Sequence, residues 1–160
     1  MLCAACAKNS GKKSTRTPSR IFLDTSVVIS GLYSPTGASA AVVSLAKLGR
    51  LFIYLSPEVI AEAERTIDEK LPDLATPWFD LLLSQVSTTS PVTTEELRNA
   101  YKDVPTEDAS IFAGFLKSNA EILLTLDKEF QQLATLAGSH ALSPGEFLQL
   151  WRGSRDPNEI

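Results

Sequence analysis

The chain has 160 residues, 44% of them hydrophobic and 21% charged, which suits one globular domain with a single core. No apolar run approaches the roughly 18 residues that a membrane-spanning helix needs, so no membrane association is expected. The net charge of −4 is unevenly placed: residues 1–20 hold Lys8, Lys12, Lys13, Arg16 and Arg20 and no acid, so a tail of +5 precedes a remainder of −9. An acidic domain is not the usual footprint of a nucleic-acid binder, because phosphates attract Lys and Arg; the objection weakens if several acids sit together and bind cations.

Residues 1–19 are polar, basic and unpatterned, and read as a disordered tail dispensable for folding. Both cysteines, Cys3 and Cys6, fall within it, so no disulfide framework holds the core, which suits a reducing cytoplasm. Cys3 and Cys6 are half a zinc site, and only His140 could add to them, so no structural zinc is expected. Gly11-Lys12-Lys13-Ser14 is not a phosphate loop, since Cys6 stands where its first glycine belongs and no strand precedes it. Met1–Ala7 is too short, and has no basic residues before it, for a secretory signal.

From Arg20 onward strands and helices alternate. Ile21–Leu23 reads as a short buried strand, followed by Asp24-Thr25-Ser26 and apolar Val27–Ile29. Ala38–Leu48 has helical spacing and stops at Gly49. Leu51–Leu55 reads as a second buried strand. Ser56 then caps, and Pro57 opens, a helix to about Lys70. Trp78–Val86 reads as a helix bounded by Pro77 and a Ser/Thr loop, and Thr94–Tyr101 as another helical piece. Thr106 is placed to cap an amphipathic helix to about Ser118; Glu121–Thr125 is a third strand, with a helix after it to Ala137. Ala141-Leu142 fits a short edge strand, and Ser143-Pro144 starts the last helix, Gly145–Trp151. The alternation predicts one α/β domain over residues 20–152 with a mostly parallel sheet, and a flexible C-terminal tail over 153–160.

Ligands of open parallel sheets bind beyond the carboxyl ends of the strands. Asp24 and Asp127 stand there, although each also suits a helix N-cap. Asp108 lies at the start of a helix, where it favours the helix dipole, but it shares the buried stripe of Ile111, Phe112, Phe115 and Leu116. A carboxylate on such a stripe is costly unless paired or coordinated. Glu62 and Glu64 both flank the apolar face of Val59, Ile60, Ala63 and Ile67, and periodicity does not choose between them. Elimination narrows the chemistry. A single histidine excludes a His–His acid/base pair, and the core has no thiol. A Ser-His-Asp triad would need His140, which sits in a loop. Oxygen ligands remain, and clustered carboxylates favour Mg²⁺ or Mn²⁺.

Leu23-Asp24-Thr25-Ser26, Ser56–Glu62, Glu107–Ile111 and Leu124–Phe130 follow one another in the order and approximate spacing of PIN-domain nucleases. With Leu142–Leu148, the chain resembles the VapC-like branch of that family, the toxin components of toxin–antitoxin pairs. The resemblance covers about residues 20–150. It implies a PIN-like three-layer α/β/α sandwich and metal-site acids at Asp24, Glu62 (not Glu64), Asp108 and Asp127. Glu129 stands where many relatives carry a further Asp, so it keeps a metal-binding carboxylate with a longer reach. Ser26 replaces a common Asn as a supporting hydroxyl, and Thr125 is similarly placed.

The resulting expectation is a cytoplasmic, Mg²⁺/Mn²⁺-dependent endoribonuclease that hydrolyses RNA phosphodiester bonds with metal-activated water. Its RNA contacts would come from Arg65, Arg98, Lys102, Lys117 or Lys128. Its partner would be an antitoxin or a second copy of the chain, met through surplus apolar residues such as Trp78, Phe79 and Trp151. Two rivals are a PIN-like protein-interaction module with weak catalysis, and a metal-dependent phosphatase with Asp24 as covalent nucleophile. The second lacks the Asp-x-Asp start, because Ser26 holds its second position.

Overall fold

The computed structural model describes residues 20–84 and 86–153. The basic tail with Cys3 and Cys6 lies outside the described residues. Of the expected C-terminal tail only Gly153 is described, and it ends the last helix.

Strand β1 (Arg20–Leu23) is the centre of the sheet because Ile21, Phe22 and Leu23 are buried on both faces. It is followed by α1 (Thr25–Tyr33) and α2 (Ala38–Lys47), and the turn after α2 needs the positive φ of Gly49. Next come β2 (Phe52–Leu55) and α3 (Pro57–Lys70). Ser56 caps α3 by accepting the Val59 N–H, and Pro57 opens it. A short 3₁₀ turn leads into α4 (Ala75–Leu82) and β3 (Val86–Thr88). The second half runs through α5 (Thr94–Asp103), α6 (Ala109–Ser118), β4 (Ile122–Leu124), α7 (Lys128–Leu136), β5 (Ala141–Leu142) and α8 (Pro144–Gly153).

All five strands are parallel, in the order β3-β2-β1-β4-β5. The chain steps from β1 to β2 and β3 through α1–α4, then crosses back to β4 and β5 through α5–α7, and parallel crossovers of opposite sense lay their helices on opposite faces of a sheet. Helix α8 packs back against α2, completing a three-layer α/β/α sandwich. Among the described residues no single helix is long and apolar enough to cross a membrane.

Two expectations about the chain need correction. Val86 does not close a helix. It starts β3, which pairs with Ile53–Leu55 along the sheet edge. Helix α4 begins at Ala75, so Pro77 lies inside its first turn rather than before it, where its missing N–H costs nothing. Of the aromatic residues expected to be surplus, Trp78 is buried in the core and Trp151 packs against Phe147; only Phe79 is exposed.

The packing of α6 depends on one glycine. A methyl group at Gly114 would lie 2.7 Å from Ser56 Cβ and 2.8 Å from its Oγ. Only hydrogen fits there, and its presence lets α6 lie directly against the capped start of α3.

Candidate active site

The strand order reverses direction at β1: the chain leaves it toward β2 and later returns to its other side as β4. Such a switch point opens a crevice beyond the carboxyl ends of the two strands. Asp24 stands at the end of β1, and its N–H continues the ladder to Leu124 O. Thr125 and Asp127 stand at the end of β4. The side chains at this edge are tightly connected. Asp24 Oδ1 accepts the Thr25 N–H at 2.7 Å. Its Oδ2 accepts the Thr125 hydroxyl at 2.7 Å and the Ser26 hydroxyl at 2.9 Å. Each hydroxyl also accepts a backbone N–H, Ser26 Oγ from Leu126 across the crevice and Thr125 Oγ1 from Asp127 two residues on. Asp127 Oδ1 accepts the Glu129 and Phe130 N–H groups and so caps α7.

The helices bring two more acids to the same place. One continuous cleft of about 710 Å³ is lined by Asp24, Glu62, Asp108 and Asp127, together with Glu107. Glu64, two residues and about 200° round the helix from Glu62, is exposed and does not line the cleft. Asp108 immediately precedes α6 but caps nothing: its carboxylate takes no hydrogen bond among the described residues, and neither does that of Glu62. Glu129 is exposed and does not line the cleft. Glu107 is the site residue that sequence reasoning passed over; its signal was adjacency to Asp108 in the Glu107-Asp108-Ala109 segment.

Burial and like charge strain this arrangement. Burial pushes the Asp24 carboxyl up, its three hydrogen bonds pull it down, and Asp127 adds to the push. Glu62 is raised by burial and by Asp24, with Arg65 working against both. Asp108 is raised to about 6, first by burial and then by Asp24, Asp127, Glu107 and Glu62. Of the basic residues considered as RNA contacts, Lys117 is engaged with Glu96 at 2.8 Å and with Pro91 O. Lys128 instead lines a separate groove on α7.

A family model described as PIN domain matches residues 20–129. The chain belongs to the PIN-domain family. Solved structures agree in fold. VapBC2 from Rickettsia felis, bound to a DNA fragment from its promoter, is 16% identical with a TM-score of 0.57, over 78% of this PIN-domain chain and 98% of that one. VapC20 of Mycobacterium tuberculosis, a sarcin–ricin loop cleaving toxin, is 18% identical with a TM-score of 0.55, over 78% and 99%. A protein of Pyrobaculum aerophilum is 15% identical with a TM-score of 0.59, over 84% and 90%. No curated protein matches the chain.

The cleft has the donor chemistry for a hard divalent cation, since every candidate ligand is a carboxylate oxygen. Among the described residues no three acidic, His or Cys side chains already stand close enough to enclose one ion. Glu62 and Asp108, held by no hydrogen bond, are free to turn toward one; Asp24 is not.

Proposed function

We propose that this PIN domain is a Mg²⁺- or Mn²⁺-dependent endoribonuclease and the toxin of a toxin–antitoxin pair, working in the cytoplasm. The observation that carries the reading is the convergence of Asp24, Glu62, Asp108 and Asp127 on one cleft at the sheet's switch point, with Asp108 pushed up to about 6 by burial and then by its acidic neighbours. Such a cluster is unfavourable without a cation, and perturbed carboxyls in a cleft mark functional sites. Family membership supports nucleic-acid hydrolysis, and the sarcin–ricin loop cleavage of VapC20 supports an RNA substrate.

Asp24, Glu62, Asp108 and Asp127 are the residues that would hold the cation; Glu129, outside the cleft, is given no part. Bound there, the cation would activate water for attack and stabilise charge at phosphorus. The chain's own contribution is placement. Thr125 and Ser26 fix Asp24 Oδ2 and tie it to the Asp127 turn, so the strand-end acids form a rigid base. A cation held there would offset the neighbouring charge and so favour the ionised form of Asp108. The phosphatase alternative is disfavoured because Asp24 is only 5% exposed and both its oxygens already accept hydrogen bonds. Exposed Phe79 and Leu83, four residues apart at the end of α4, offer an apolar surface to an antitoxin or a second copy of the chain.

The test is cleavage of RNA by the purified chain in Mn²⁺ and in EDTA, with end analysis. Products with 5′-phosphate and 3′-hydroxyl ends, lost in EDTA and in Asp108→Asn and Asp24→Asn, are expected. Full activity in EDTA, or 2′,3′-cyclic phosphate ends, would overturn the carboxylate–metal mechanism.

A further inference from the structure

The acids occupy only one end of the cleft. The rest of the cavity runs between α1 and α3, walled by Ile29, Ser30 and Tyr33 on one side and Thr66 and Leu71 on the other. Tyr33 lies eight residues along α1 from Thr25, roughly 12 Å from the acids at helical rise. It is 67% exposed, although it is a large aromatic residue at the mouth of an otherwise acidic cleft. Folding does not account for it there, since the core is complete without it.

Beyond residue 20 the chain carries a net charge of −9, so a grip on nucleic acid that needs no charge adds to the phosphate contacts that Arg65, Arg98 and Lys102 offer. Stacking of a base on an aromatic ring is such a grip, tolerant of sequence and open only to a base that is not already paired. We infer that the arm of the cleft between α1 and α3 receives an unpaired RNA base, stacked on Tyr33, next to the nucleotide that is cut. The inference rests on the ribonuclease reading and assigns that site a stacking subsite, with Tyr33 as its floor. Ile29 and Leu71 supply apolar wall for the base. The Ser30 and Thr66 hydroxyls stand where a base edge would pass; the Thr66 hydroxyl donates to Glu62 O and keeps its acceptor capacity.

The experiment reads binding, so that it does not depend on cleavage. Full-length chain carrying Asp24→Asn is titrated into a single-stranded RNA oligonucleotide containing 2-aminopurine, with Tyr33 intact, as Tyr33→Phe or as Tyr33→Ala. Quenching of the base's fluorescence is expected with Tyr33 and Tyr33→Phe. Tyr33→Ala should lose the quenching and bind about tenfold to a hundredfold more weakly. A fully paired duplex should compete poorly. Equal quenching and affinity in Tyr33→Ala, or equal competition by the duplex, would overturn the inference. So would a Tyr33→Ala chain that binds RNA normally but no longer binds a protein partner, since Tyr33 would then serve a protein interface. Absence of metal-dependent cleavage in the otherwise wild-type chain would sink the ribonuclease reading separately, whatever the fluorescence shows.

Discussion

The two strand-end acids and the two helix-borne acids differ in what holds them. Asp24 and Asp127 are built into the backbone: three hydrogen bonds fix the first, and the second caps α7. Glu62 and Asp108 are held by nothing but the helices that carry them, and face the first pair with raised proton affinity. A strand-end carboxylate here therefore has a structural duty beside the chemical one proposed for it. A helix-borne one makes no hydrogen bond among the described residues and, with its raised proton affinity, costs stability to keep charged.

The sharpest way to break that distinction is to truncate one acid from each pair. Asp24→Ala and Asp108→Ala should both lower RNA cleavage by orders of magnitude, because each would remove a ligand of the proposed cation. Their stabilities should move apart. Asp24→Ala strips the partner from two hydroxyls and a backbone N–H and should lower stability by about 1–2 kcal/mol. Asp108→Ala strips none, and should be neutral or stabilising in chemical denaturation. Equal destabilisation by both would erase the contrast.

Thr125→Val tests whether the rigid base matters to chemistry. It should slow cleavage by about tenfold to a hundredfold, as loss of a ligand's supporting hydrogen bond does, while the fold survives. A wild-type rate in this variant would mean that Asp24 needs no positioning.

The pH dependence of stability sharpens the other side. Asp108 releases its proton at about 6 in the folded chain and near its ordinary value of 3.8 in the unfolded one. Between these values the folded state binds more protons, so stability should fall as pH rises from about 4 to about 6 and then level off. The fall attributable to Asp108 should be about 1 kcal/mol, discounted for its partial exposure, and should vanish in Asp108→Asn. Urea unfolding at several pH values, in EDTA, reads it directly.

The smallest effect is expected outside the cleft. Glu129→Gln and Glu64→Gln should leave the cleavage rate unchanged. A collapse in either would mean that the cation site extends beyond the residues lining this cavity.

Much of this was legible before any coordinates. Short apolar runs such as Ile21–Leu23, alternating with helical stretches, read as buried parallel strands, and Ser56-Pro57 announces a helix start chemically. Strand β3 was not legible, because Val86-Ser87-Thr88 is too short for alternation to show and lies beside a Ser/Thr-rich loop. Its identity comes from pairing with β2, a non-local fact. At the site, Asp24 and Asp127 could be read from their places after strands. Glu62 could not be told from Glu64 by period, since both border the same apolar stripe. Glu107 was hidden because its exposed position looks like an ordinary solvated charge; only the fold turns it toward the cleft.

The tight contact at Gly114 has a mechanical consequence. Helix α3 behaves as a lever with its fulcrum at Ser56, and the flank of α6 is the stop against which that fulcrum rests. Glu62 sits six residues out along the lever, about 9 Å at helical rise. A single methyl group added at position 114 must shift the fulcrum, and the tip travels with it. The aperture between Glu62 and Asp108 is thus gauged by a residue with no side chain at all.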